Sequence, residues 1–271
     1  MATKRILVIG DQHAGHLVGL TPPAWQQRPT AGSTTKHNKW AKIQAELWGT
    51  FERILRQIAP VDRLFVMGDN LDGKGQRTGG TEQITLDMDE QCDMAVAGID
   101  AVRRHARGRH FKIVGVYGTD YHVSPNGDDF EAFIAERAGF YKIGSHEWPE
   151  IEGVVFDIKH HIGNTAVPYS RGTAITKEQL ANELWAARNE QPRANVILRA
   201  HVHRFFHVGD SSFLGMTLPA LQGMGSKYGA RRCSWPVDWG MVHFDVGGGK
   251  LIDWHEHVIQ IKSQKAKVTR L

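Results

Sequence analysis

Five short apolar runs set the frame for this chain: RILVIG (5–10), RLFVMG (63–68), HFKIVGVYG (110–118), GVVFDIKHH (153–161) and NVILRAHVH (195–203). A strand buried on one face alternates apolar with polar residues, whereas a near-continuous apolar run is buried on both faces, as in a parallel sheet covered by other layers. The stretches between these runs read as helices. Trp40, Ile43, Leu47, Phe51, Ile54, Leu55 and Ile58 recur at helical spacing over 39–58, and Pro60 stops that helix. Further helices are predicted over 81–107, over 128–138 with Phe130, Phe133 and Ile134 on one side, and over 177–188 with Thr176 as N-cap. Strand–helix alternation of this kind predicts an α/β core with helices covering its sheets. Beyond residue 204, FFHVG, SFLGMTLPAL, GMVHFDV and KLIDWHEHVIQI predict antiparallel strands joined by Gly-rich turns. The pattern predicts one domain over 1–271: a motif-bearing core (5–205), a β-rich completion (204–262) and a basic tail (263–271).

At 271 residues and 41% hydrophobic content the chain can bury a full core. It contains no run of about 18 apolar residues, so no membrane span is expected. MATKRILVIG stops at Gly10-Asp11 without a small-residue cleavage site, so it reads as a first strand, and a soluble cytoplasmic protein is expected. In that compartment Cys92 and Cys233 are expected to stay unpaired. The net charge of +4 permits contact with nucleic acid without demanding it. The clusters Arg103-Arg104 and Arg231-Arg232 and the tail KSQKAKVTRL read as solvated surface charge.

The carboxyl ends of the five runs are less ordinary. The first ends in Gly10-Asp11-Gln12-His13, the second in Gly68-Asp69-Asn70-Leu71-Asp72, the third in Gly118-Thr119-Asp120-Tyr121-His122, the fourth in His160-His161 and the fifth in Ala200-His201-Val202-His203. Each alone is compatible with a structural role, but the series concentrates carboxylates and imidazoles where α/β folds gather their reacting groups. Such mixtures suit Mn, Fe, Zn, Co or Ni, and crowded anionic groups call for cations among them. In Asp11-x-His13 and His201-x-His203 the residues are two apart, so an extended backbone would point each pair one way.

This ordered series resembles the calcineurin-like metallophosphoesterase superfamily, over roughly residues 5–205, with Ala200 where the family usually has Gly. The GTDYH form and the Gly-rich C-terminal region are similar to the branch carried by tailed phages and prophages, which would place the protein in a host cytoplasm. The resemblance implies a four-layer αββα sandwich with mixed β-sheets and a two-metal site at strand carboxyl ends. Asp11, His13, Asp69 and His203 would hold one divalent ion. Asp69 would bridge to a second, held also by His201 and one of His160 and His161, with His161 preferred. Neighbours on a strand point to opposite faces, so only one of that doublet is expected to enter the site. Asp72 would orient the site from behind the ligands. Manganese heads the candidate ions, ahead of Fe, Zn, Ni and Co.

The family pattern at the third strand end is Gly-Asn-His followed by Asp or Glu. Here Thr119 replaces the Asn and Asp120 the His. His122 is therefore expected to take the acid or phosphate-contact role, with Thr119 or Asp120 near the second ion. The implied activity is phosphoester hydrolysis, chiefly of diesters and also of monoesters. Water activated between ions about 3.5–4 Å apart would attack phosphorus in line with the leaving oxygen. Arg171, in YSRGTA, is expected to bind a substrate phosphate. Loops 14–35, 73–81 and 219–239 would wall the cleft, with the tryptophans of CSWPVDWG read as core. A phage nuclease acting on DNA or RNA is the alternative, and a non-catalytic metal-binding module comes third.

Overall fold

A computed structural model describes residues 3–29, 32, 35–123, 129–163, 167, 170–224, 235–266 and 268–270. The five apolar runs are strands, trimmed at their ends: β1 (Lys4–Ile9), β2 (Arg63–Val66), β3 (Lys112–Val116), β6 (Val154–Lys159) and β7 (Val196–Arg199). Three short strands, β4 (Lys142–Gly144), β5 (Glu150–Ile151) and β8 (Phe206–Gly209), join them, with β9 (Leu214–Thr217), β10 (Gly240–Gly247) and β11 (Lys250–Val258). One sheet runs in the order β11-β10-β1-β2-β3-β4 and the other β5-β6-β7-β9-β8. Within the first, β1 to β4 are parallel while β10 and β11 are antiparallel, so the sheet is mixed.

Residue alternation explains the layering. Ile6, Val8, Phe65 and Met67 face one way and pack on Phe156, Ile158, Val196 and Leu198 of the other sheet. Leu7, Ile9, Leu64 and Val66 face the other way, onto Ile43, Leu47 and Phe51 of α1 (Thr35–Ile58) and Met94, Ala95 and Ile99 of α2 (Met88–Arg103). The outer face of the second sheet carries α5 (Arg171–Ala187), whose Ile175 is fully buried and lies where any side chain on Gly215 of β9 would intrude. The result is the αββα sandwich, with both faces of the central strands apolar because both are covered.

Three expectations change. The second helix begins at Met88, where Asp87 accepts from the backbone N–H of Asp89 and Glu90. Residues 81–87 stay outside it because their backbone pairs elsewhere: Leu17 N–H donates to Glu82 and Ile84 N–H to Gly15. The last helix starts six residues before the predicted Lys177, and Thr176 lies inside it, its hydroxyl returned to the carbonyls of Gly172 and Thr173. The C-terminal strands are not all antiparallel, since β9 pairs parallel with β7 before turning antiparallel to β8. Cys92 is buried and unpaired; Cys233, Arg231, Arg232 and part of loop 219–239 lie outside the described residues. No helix among the described residues is long and apolar enough to cross a membrane.

Candidate metal centre

The loops leaving β1 and β2 are bonded to each other. Asp11 N–H donates to Gly68 O (2.9 Å), His13 N–H to Asp69 O (3.0 Å) and Ala14 N–H to Asn70 O (2.9 Å). This ladder carries Asp11 and His13 alongside Asp69 beyond the strand ends. The backbone here is not extended, so the simple two-residue argument for Asp11-x-His13 and His201-x-His203 does not apply. Asp11, His13, Asp69, His201 and His203 all have φ between 45° and 70°. Among the described residues only Glu152 and Asn189 share this left-handed conformation without being glycine. Each turn aims a side chain that a strand would have sent elsewhere.

The donor atoms converge. His203 Nε2 lies 3.1 Å from Asp11 Oδ1 and 3.2 Å from His13 Nε2. His160 Nε2 lies 3.1 Å from Asp69 Oδ2. Three groups each offer ligand atoms within 4.8 Å of one another: Asp11, His13 and His203; His13, Asp69 and His122; and Asp69, His160 and His201. The first and third follow the division implied by the family resemblance. Asp69 stands in two of the three groups.

These residues fit divalent ions on their own terms. Asp11 Oδ1 and His160 Nε2 are buried without a hydrogen-bond partner, in spite of their near neighbours. A buried acceptor left so costs about 1–3 kcal/mol. The imidazoles are held with lone pairs available. His160 Nδ1–H donates to Met67 O (2.6 Å) and His122 Nδ1–H to Asp72 O (2.8 Å), which leaves Nε2 of each to carry a proton or, once that proton is displaced, to ligate an ion. His13 Nδ1 is likewise taken up by Asp72 Oδ1 at 2.8 Å. Two donors about 2.1 Å from one ion and at right angles lie about 3 Å apart, the spacing seen here. The site also draws positive charge. Burial alone would lower the basicity of His160, but Asp69 overrides it and pushes the imidazole up to about 10. Burial tends to raise Asp69, yet His160 holds it well below the usual carboxylate range. His201, by contrast, is pushed down to about 4 by burial and then by His160, so it stays neutral and able to ligate.

The doublet resolves against the preferred residue. His160 is buried and lies in the donor group of Asp69 and His201, while His161 is exposed, outside the three donor groups, with its ring 4.8 Å from that of His201. His160 lies just beyond β6, where its carbonyl accepts from Ala200 N–H (2.8 Å) and its Nδ1–H donates to Met67 O.

In the GTDYH stretch, Thr119 donates from its backbone N–H (2.6 Å) and its hydroxyl (3.0 Å) to Asp69 Oδ1, clamping that carboxylate. Gly118 makes room for it: a Cβ there would sit 2.2 Å from Asp69 Oδ1. Asp120 opens the short helix α3 (Asp120–Val123) and is exposed, outside all three donor groups. His122 follows on the same turn with its ring 4.7 Å from that of His13. Asp72 holds His13 and His122 and accepts from Gln83 Nε2 (2.5 Å).

Two supporting residues escaped the sequence reading. Glu131, on α4 (Phe130–Arg137), is fully buried and pushed up to about 7, first by burial and then by Asp69. Its carboxyl accepts from Asn70 N–H and Nδ2 (2.9 Å each) and from Gly118 N–H, tying the ends of β2 and β3 together. Gln83 comes from the segment misread as helix. Neither sits in a motif; the Asp129 cap ahead of Glu131 was the nearest local signal. Arg171 is not in the donor groups and opens α5 instead of lying in a loop.

No protein-family model matches this sequence, and no curated protein does either. Solved structures that align along most of the chain include a novel archaeal phosphodiesterase, at 12% identity over 94% of this chain and 99% of that one, with a TM-score of 0.46. Vps29 from Chaetomium thermophilum aligns at 13% identity over 90% and 83%, with a TM-score of 0.44. Vps29 from Entamoeba histolytica complexed with Zn²⁺ aligns at 12% over 94% and 98%, with a TM-score of 0.43. Likeness this distant carries no functional argument, and the function has to be read from the donor residues themselves.

Proposed function

We propose that this protein is a two-metal phosphoester hydrolase acting chiefly on phosphodiesters. One observation supports the reading: the buried carboxylate Asp69 shares one donor group with His13 and His122 and another with His160 and His201, while His13 also belongs to the group of Asp11 and His203, so Asp69 stands between the two halves of the site. Asp11, His13 and His203, with Asp69, would hold one divalent ion, and Asp69, His160 and His201 would hold the other. Ions bound there supply Lewis acidity toward the phosphate and a nucleophilic water at neutral pH. Mixed oxygen and nitrogen donors without thiolate favour Mn, Fe, Zn, Co or Ni, and manganese is the first to test.

The chain supplies orientation and a proton. Thr119 and Asp72 fix the Asp69 carboxylate and the His13 ring. His122 is held through Nδ1 by the Asp72 carbonyl, so when protonated its Nε2–H is free to serve the leaving oxygen. His122→Ala is expected to lower turnover by about a hundredfold. Metal analysis of that variant should still find two ions per chain; loss of one would make His122 a ligand.

Chelation tests the whole reading. Stripped protein should lose essentially all hydrolysis of bis(p-nitrophenyl) phosphate, and added Mn²⁺ should restore it with two ions bound per chain. Undiminished activity after thorough stripping contradicts the proposal.

A further inference from the structure

Beside the metal centre lies a cleft lined by Arg171, Val202, Arg204, Phe206 and Thr217. Val202 separates His201 from His203 and Arg204 comes directly after, so the cleft is lined from the same stretch of chain that carries two of the donors. We propose that Arg171 and Arg204 form a second phosphate subsite there, so that the preferred ester carries another phosphate next to the one being cleaved. This rests on the phosphoesterase reading and specifies its substrate class.

Two guanidinium groups share one aromatic ring. Arg171 Cζ lies 4.9 Å and Arg204 Cζ 5.4 Å from the Trp235 ring centre. Cation–π contact holds each in place, but it does not remove their mutual repulsion. Arg204 is 8% exposed, with Arg171 and Asp238 as charged neighbours. Asp238 also accepts from Phe205 N–H through Oδ2 (2.8 Å), and Thr217 Oγ1 donates to the Arg204 carbonyl (2.7 Å), so the segment is pinned.

Another buried arginine shows what a structural one looks like in this fold. Arg199 binds Asp157 (2.6 Å) and Glu178 (2.7 Å), two carboxylates for one guanidinium. Arg171 has no ion pair among the described residues, and its Nε is buried without a hydrogen-bond partner. Its place at the start of the 17-residue helix α5 adds the partial positive charge of a helix N-terminus. The planar donor fork of Arg171, with Arg204 beside it on the same ring, suits the oxygens of a phosphate. Trp235 thus has a role apart from Trp239, which is core as expected and donates to Leu221 O.

The test compares three esters in wild type and in the Arg171→Ala, Arg204→Ala, Arg171→Lys and Arg204→Lys variants. Thymidine 5′-(p-nitrophenyl phosphate) carries one phosphate, its 3′-phosphorylated form carries two, and ADP-ribose carries them as a diphosphate. Wild type should prefer a two-phosphate ester by about tenfold or more in kcat/KM. That preference should collapse in the alanine variants through KM and survive in part in the lysine variants. Collapse confined to the 3′-phosphorylated ester assigns an oligonucleotide-like neighbour, and collapse confined to ADP-ribose assigns a diphosphate. An equal loss on all three esters, or an unchanged preference, overturns the subsite. Calorimetric titration of metal-free protein with inorganic pyrophosphate decides independently of turnover. Binding should weaken about tenfold or more in the Arg171→Ala/Arg204→Ala double variant at matched thermal stability, and binding that is absent in wild type or unchanged in the variant overturns the proposal. Should no ester be turned over by wild type, the phosphoesterase reading fails while this titration still judges the anion site.

Discussion

Asp69→Asn is expected to reduce hydrolysis of bis(p-nitrophenyl) phosphate by at least about a thousandfold, roughly 4 kcal/mol of transition-state stabilisation. The amide keeps the shape of the side chain and removes its charge. Both oxygens of Asp69 are engaged: Oδ1 takes two donors from Thr119, and Oδ2 faces His160 at 3.1 Å. An Asn can present only one oxygen, so either the clamp or the shared ligand is lost. The metal-free fold should suffer as well, because His160, 3.1 Å from Asp69 Oδ2, would be left buried without its carboxylate. Metal-free Asp69→Asn protein should melt below the wild-type temperature, and metal analysis should find fewer than two ions. Near-wild-type turnover would remove Asp69 from its bridging place.

The adjacent histidines give the second large contrast. His160→Ala should lose one ion per chain and about a hundredfold or more in kcat/KM, beyond the 10–100-fold usual for a group that only supports a ligand. His161→Ala should retain both ions and stay within about threefold of wild type, since its ring is exposed and, among the described residues, lies outside the three donor groups. Equal losses in the two variants would mean that β6 presents both rings to the metal. Kinetics and metal content measured on the same preparations separate these outcomes.

The central strands were legible because burial on two faces writes itself into a local run of apolar residues, as Ile6 to Ile9 do. The site was legible as a set of residue types at strand ends, and less so as geometry. Which of His160 and His161 turns inward depends on how β6 pairs with β7 and where that edge meets Asp69. Neighbouring residues carry no trace of either. Glu131 was invisible for the same reason, since a glutamate in the first turn of a helix looks solvated until the fold lays it across Asn70 and Gly118. Residues 81–87 read as helix from their apolar spacing, but tertiary hydrogen bonds to Gly15 and Leu17 outweighed that weak preference. Thr119 illustrates a partial reading: its departure from the family pattern was plain, while its use as a clamp on Asp69 needed coordinates in space.

The left-handed residues of the metal centre have a consequence for how this chain can change. A side chain with a Cβ gives up about 1 kcal/mol or more in that conformation relative to glycine. Five such residues in one cluster therefore burden the native state by about 5 kcal/mol, comparable with the net stability of many domains. Glycine at any of these positions would relax the backbone and erase a donor. Selection for backbone stability alone would therefore favour glycine here and strip the site of its donors.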